Sequence, residues 1–359
     1  MIKVYGPKPS AHIVAYYDWF GFESTEFERS TDIEEVLAQD IKIACVPVFF
    51  NELGDDALKF DYQKFDLLLI SDIEINGTPA INKWLERSNI KNYLVSLGSV
   101  TFDSKMTEDF IYRPFWAFNQ INRNRDSYLE LDSKEFLFDV LLGTKKPHRD
   151  WVMVKMIQND LLNRSIVTYR DIFAKFPVTI SQAGQDLLAE VLDTQIPYPY
   201  VSPNLNPLWE VSETMDNTVS ELIPWSIYEQ TRYSIVTESH ADKRGFFFTE
   251  KSSKAILGRR VFVVFSGHNF LKNMKELMGF RTFDNLIDES YDSEPNVSIR
   301  FNMAFEQVKK LAEMDFREVQ AATKEVREHN HKRMFELKAE KNSLMLEKIY
   351  NKLGLKNKE

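Results

Sequence analysis

A single cysteine, Cys45, stands in a chain of 359 residues, so no disulfide framework can form within it. Cys45 lies in the apolar run Ile43-Ala44-Cys45-Val46-Pro47-Val48-Phe49-Phe50, where a buried inert thiol is expected rather than a nucleophile. No apolar run approaches the length of a membrane span, and the opening Ile2-Lys3-Val4-Tyr5 reads as a strand rather than as part of a signal peptide. A cytoplasmic protein with no membrane span is expected. Neither the Gly-x-x-x-x-Gly-Lys-Ser/Thr spacing of a P-loop nor Gly-x-Gly-x-x-Gly occurs. The six histidines are scattered, and His329 and His331, two apart on a helical stretch, point to different sides, so no zinc cluster is expected. Basic excess is missing as well: a formal net charge of -9 argues against broad adhesion to nucleic acid, although it leaves room for a local basic groove. There is no internal repeat and no low-complexity tract.

What is present is a core. With 43% hydrophobic and 13% aromatic residues the chain is long enough for two domains. From the start to about residue 100, strand-like runs (Ile41 to Phe50, Phe65 to Ile70, Tyr93 to Leu97) alternate with helix-like ones (31 to 40, Pro79 to Arg87). Such alternation implies parallel pairing with right-handed crossovers. Between Phe102 and Asp132 the period is lost, which places an interdomain crossing there. Phe110 to Phe118 is expected to cover a hydrophobic face. A second alternating unit begins at Phe136 to Leu142, followed by a helix from Trp151 and a strand at Ile166 to Tyr169. Trp209, Trp225 and Tyr228 can stack on a sugar or base, though core packing is the commoner fate of such residues. Beyond the second unit, Gly279 is expected to end a helix, Phe280 to Phe283 to form a short strand, and Asp284 to Asn296 to be an acidic loop with solvated carboxylates. From Val297 onward, Glu, Lys, Met and Leu at helical spacing predict two long helices, which can pack back on the first domain or pair with a second copy as a coiled-coil homodimer. The expected divisions are 1–130, 131–299 and a helical segment 300–359.

Two loops in the second unit carry chemistry. The loop after Phe136 to Leu142 holds Gly143, Lys145, Lys146 and Arg149 and opens a helix, and a helix start offers unpaired N–H groups and partial positive charge to an anion. The second lies in Tyr233 to Phe265, read as strand, loop, helix, strand. Thr249 is the expected N-cap, Glu250 lies in the first turn, and Gly258 sits where a left-handed residue could end the helix. Lys251 and Lys254 share a helix face, and Arg244 precedes them in the loop. Glu238 and Glu250 bring acceptors suited to sugar hydroxyls. Cations beside such acceptors suit a phosphorylated sugar or nucleotide, whereas mixed Lys and Glu on a helix are also the ordinary makeup of a solvated face.

Glu238, then Thr249-Glu250-Lys251, Ala255-x-x-Gly258 and Val261-Phe262-Val263-Val264 resemble the donor-site signature of fucosyltransferase-like and exostosin-like glycosyltransferases. The match spans about thirty residues. Ser239-His240 stands where that pattern has Asn-Ser, and Arg260 where it has a small residue or Pro. The Gly143 to Arg149 loop is similar to the start of the donor domain in the same enzymes. The resemblance implies two Rossmann-like domains facing each other across a cleft, the GT-B arrangement. The donor site would comprise Gly143, Lys145, Arg149, Glu238, Arg244, Thr249, Glu250, Lys251 and Lys254. The Asp-x-Asp triplet that holds a metal in the other main glycosyltransferase fold is absent, so metal-independent transfer without a cofactor is expected.

The expected function is therefore transfer of a sugar from a nucleotide-sugar donor to a hydroxyl acceptor, in a saccharide or other glycan. A general base is needed for the acceptor proton, and Asp18, Glu23 and Glu74, which follow strand-like segments, are the candidates. Transfer to a hydroxymethylated base in DNA is an alternative, hinted at by Arg113, Arg123 and Arg125. Noncatalytic binding of a nucleotide-sugar is another.

Overall fold

A computed structural model describes residues 2–6, 27–49, 52–53, 61–72, 77–100, 107–123, 133–170, 180–203, 205, 222–241 and 245–355. The chain divides into two compact units, Met1–Asn119 with Glu336–Glu359, and Gln120–Phe335. The segment beyond residue 300 is thus shared between the units rather than standing apart.

The first unit is built on a seven-stranded sheet. Its strands are β1 (Ile2–Tyr5), β2 (Phe27–Ser30), β3 (Ile43–Phe49), β4 (Glu52–Leu53), β5 (Leu67–Asp72), β6 (Tyr93–Leu97) and β7 (Phe110–Tyr112). They run β2-β1-β3-β5-β6-β7, all parallel, with the short β4 antiparallel on β3. Alternation along each strand divides the core between two faces. On one face Tyr5, Ala44, Val46, Leu68, Ile70 and Val95 pack with Val36 of α1 (Ile33–Leu37) and with Ile81, Trp84 and Leu85 of α2 (Gly77–Ser88). On the other, Val4, Ile43, Cys45, Leu67, Leu69 and Leu94 pack with Met345 and Ile349. Cys45 is buried and its thiol pKa is pushed up by that burial, as expected of an inert core thiol. The Phe110 to Phe118 stretch supplies β7 and opens α3 (Phe115–Arg123), so its apolar residues build the sheet edge instead of only covering it.

The second unit holds a five-stranded sheet, β8 (Phe136–Leu142), β9 (Ile166–Tyr169), β10 (Tyr200–Val201), β11 (Thr231–Thr237) and β12 (Phe262–Phe265). The order is β10-β9-β8-β11-β12, parallel except for β10. Its helices are α4 (Pro147–Gln158), α5 (Gln182–Ala189), α6 (Trp225–Gln230), α7 (Glu250–Leu257), α8 (Phe270–Met278), α9 (Val297–Glu313) and the first part of α10 (Phe316–Leu353). Trp151 of α4 packs edge-on against Phe301 and Phe305 of α9 and beside Phe265. Trp225 and Tyr228 belong to this fabric: the two rings meet edge to face, and Tyr228 is buried beneath the Arg260 guanidinium. Tyr228 is a core residue and Trp225 is half-buried against it, whereas Trp209 lies outside the described residues.

Three local expectations change in the structure. Gly258 is not left-handed: its φ is -78°, and a Cβ there would come within 2.5 Å of the Tyr228 ring, so the glycine is required for close approach. Phe280 to Phe283 pairs with no strand, because the Asn330 side chain takes both the N–H and the C=O of Arg281 at 2.8 Å. The carboxylates beyond it are not all solvated. Asp292 is buried and accepts from the amides of Leu271 and Lys272 at the start of α8, while Glu289 accepts from Phe283 N and Thr282 Oγ1. Gly279 does end α8 in the left-handed region, at φ 74°.

The two terminal helices appear as expected, α10 running for 38 residues. Its buried stripe is Val319, Thr323, Arg327, Asn330, Met334, Leu337, Met345 and Ile349. Phe335 and Leu344 of the same helix are exposed. No helix among the described residues is long and apolar enough to cross a membrane.

Candidate functional site

Strands β8 and β11 are neighbours in the second sheet, and their crossovers leave in opposite directions, through α4 to β9 and through α7 to β12. Right-handed crossovers then place α4 and α7 on opposite faces, and the ends of β8 and β11 form a topological switch point. Open α/β sheets leave a crevice there for a ligand. Both loops singled out from the sequence emerge at this place.

The loops are joined directly. Lys146 Nζ donates to Ser239 O at 2.8 Å, and His148 Nε2 lies 2.9 Å from Glu238 O. A carbonyl only accepts, so Nε2 carries the proton of the His148 ring. Burial, then the charges of Arg149 and Lys146, hold the His148 pKa well below the usual imidazole value, and the ring is neutral.

Arg149, in the first turn of α4, is 3% exposed. Its Nη1 donates to Thr144 O at 2.7 Å, while its Nε is buried with no partner. Burial lowers its pKa, and Tyr169, Glu250 and Glu238 pull the other way, which places those acidic groups in its field. Thr237 Oγ1, at the end of β11, is also buried and without a hydrogen-bond partner. A buried donor without a partner costs about 1–3 kcal/mol, so a site that leaves such groups open is one an added ligand can satisfy. The start of α4 has Pro147 in its first turn and no side-chain cap.

The start of α7 is built differently. Thr249 caps it as expected, its Oγ1 accepting from Lys251 N at 3.3 Å. Glu238, 1% exposed, places its carboxylate on the same turn. Oε1 accepts from Thr249 N at 3.3 Å, Ser252 N at 3.3 Å and Ser252 Oγ at 2.6 Å; Oε2 accepts from Thr249 Oγ1 at 2.5 Å and Ser239 N at 3.3 Å. The expectation that this helix start holds a ligand phosphate is therefore corrected: its anion is Glu238. For the same reason Glu238 is filled by protein donors and is not the acceptor for sugar hydroxyls. Burial raises its pKa, opposed by Lys251 and by the Ser252 and Thr249 hydroxyls.

Glu250 lies in the same first turn of α7. Burial alone would raise its pKa, but Lys251 and Lys254 outweigh it and hold the carboxyl below its usual range. Lys251 Nζ contacts Glu250 Oε1 and donates to Ser239 Oγ at 3.2 Å. Lys254 is buried, and its pKa falls to about 8, chiefly through that burial.

Of the sequence-predicted donor residues, Arg149, Glu238, Thr249, Glu250, Lys251 and Lys254 come together here. Gly143 directly follows β8, and Lys145 turns toward another neighbour, its Nζ 5.0 Å above the Tyr198 ring. Arg244, Asp18, Glu23 and Glu74 lie outside the described residues. Lys146 belongs to the basic loop read from the sequence, whereas His148, Ser239 and Ser252 went unrecognised as parts of the site. Ser252 alone had a local sign, a poor helix former in a first turn; His148 and Ser239 meet groups of the other loop about 90 and about 93 residues away, a separation no local pattern registers. Among the described residues no group of His, Cys, Asp and Glu could hold a metal ion.

No family model, curated protein or solved structure matches the chain. The glycosyltransferase resemblance therefore stands on its motif residues alone.

Proposed function

We propose that the chain is a metal-independent GT-B glycosyltransferase, moving a sugar from a nucleotide-sugar to a hydroxyl of a saccharide or other glycan. The observation that carries this reading is the meeting of two loops at the switch point of the second sheet, where the buried Arg149 keeps an open Nε in the field of Glu250. Transfer breaks the bond between the anomeric carbon and the diphosphate, and the electron pair stays on the diphosphate. Arg149, Lys251 and Lys254 are the cations that would stabilise that charge. Glu250, ionised, accepts hydrogen bonds from ribose or sugar hydroxyls. The acceptor proton would go to a general base, with Asp18, Glu23 and Glu74 the residues to test.

A glycan or other hydroxyl acceptor is favoured over DNA because Arg113, one of the arginines behind the DNA reading, is 2% exposed and donates to Asn342 Oδ1 at 3.1 Å. The first test is thermal stabilisation by UDP-, GDP- and CDP-sugars. A donor at a hundred times its Kd adds about 2.7 kcal/mol to stability, a clear rise in Tm. Silence toward all three would overturn the reading. With the responding donor, Lys251→Ala is expected to lose most turnover while its own Tm moves little. EDTA is expected to leave turnover intact, and loss restored only by Mn²⁺ or Mg²⁺ would overturn the metal-free step.

A further inference from the structure

Of the two helix starts at the switch point, one has no side-chain cap and one is closed by a buried carboxylate. We infer that Glu238 is a positioning residue of the donor site: its buried carboxylate, acting as the fixed anion of α7, holds the first turn of that helix against the end of β11 and thereby sets Lys251 and Glu250 beside Arg149. The inference rests on the donor-site reading above. Glu238 ties together three pieces of chain, Ser239 just beyond the strand, the Thr249 cap and Ser252 in the helix. Ser239 is in turn held from the α4 side by Lys146 through its carbonyl and from the α7 side by Lys251 through its hydroxyl. Losing the carboxylate frees both the helix turn and the residue that links the two loops.

The sign of the effect separates this role from its rivals. Glu238 is a negative group beside cations that are to bind an anion, so removing its charge without moving anything would tighten anion binding. A residue that merely stabilised the fold would change Tm and leave the affinity of folded protein alone. A residue that held ribose would weaken nucleotides and spare an anion that has no ribose. Only loss of position weakens both.

The experiment is titration calorimetry of full-length protein with inorganic pyrophosphate and with UDP, GDP and CDP, at a temperature where circular dichroism shows every variant folded. Glu238→Gln keeps the shape, but its amide nitrogen must face N–H groups that cannot turn away. It is expected to bind pyrophosphate and the preferred nucleoside diphosphate about tenfold more weakly, the scale of a lost hydrogen bond to a charged group. Ser252→Ala removes one arm of the clamp with no change of charge, and is expected to weaken both ligands by about threefold, near a neutral hydrogen bond's worth; it also serves if the glutamine variant does not fold. Wild-type binding with unchanged or tighter pyrophosphate binding by the variants overturns the positioning role and leaves the donor site standing. Wild-type protein that binds neither pyrophosphate nor any of the nucleotides overturns both.

Discussion

Lys254 shows how burial makes a charge conditional. Its pKa is lowered to about 8 by desolvation first, with Glu250 opposing and the like charge of Lys251 adding to the fall. An unfolded lysine holds its proton to near 10.5, so between about 8 and that value the unfolded chain binds more protons than the folded one. The contribution of Lys254 to stability therefore rises with pH across that window. Anion binding should move the other way, because the cation is lost from the folded site above about 8. Pyrophosphate affinity is expected to fall from pH 7 to pH 9 in wild-type protein and to fall less in Lys254→Met, as read by calorimetry at the two values; parallel pH profiles would remove Lys254 from the site. Thr249 was legible as a cap because a threonine before Glu-Lys at a helix start acts on its own neighbours. The role of Glu238 was not, since its charge and its place in the motif are equally compatible with holding a ligand or a helix.

At the scale of elements, α7 is fixed at both ends, by Glu238 at its start and by the contact of Gly258 with Tyr228 of α6 at its finish. The second contact leaves no room for a methyl group. Gly258→Ala is expected to destabilise the protein by about 1–3 kcal/mol through overpacking, measured by urea unfolding. Because the φ of Gly258 is ordinary, the cost should largely vanish in the double variant Gly258→Ala, Tyr228→Leu relative to Tyr228→Leu alone. A cost that persists would point to the backbone instead. Strands β8 and β9 were legible to the residue because each is a short, predominantly apolar run. Strand β7 was missed, since Phe110-Ile111-Tyr112 sits in a stretch without period and pairs only with β6, a partner set by the sheet.

At the scale of the whole molecule, the second crossing of the chain matters most. After leaving the second unit at Phe335, α10 returns Met345 and Ile349 to the core of the first, against Val4, Ile43 and Leu67. Large buried side chains of this kind cost about 2–5 kcal/mol each when truncated, against a total of about 5–15 kcal/mol for a typical domain. A chain ending at Phe335 is therefore expected to lose amide protection throughout β1, β3, β5 and β6 in hydrogen exchange while β8, β9, β11 and β12 keep theirs. Retained protection in the first sheet would show that the returning helix is dispensable.

The sequence by itself determined the alternation of strands and helices, the parallel pairing that follows from it, the inert Cys45, the Thr249 cap and the placing of two basic loops after two strands. All of these are set by residues close in the chain, through apolar period, capping and crossover handedness. The tertiary structure alone decided that β8 and β11 are neighbours whose crossovers part, that Arg149 is buried with an open Nε, and that Glu238 closes the start of α7. Strand order brings together groups about 90 residues apart, and only that proximity tells whether a charge meets its partner within the protein or is left open toward a ligand.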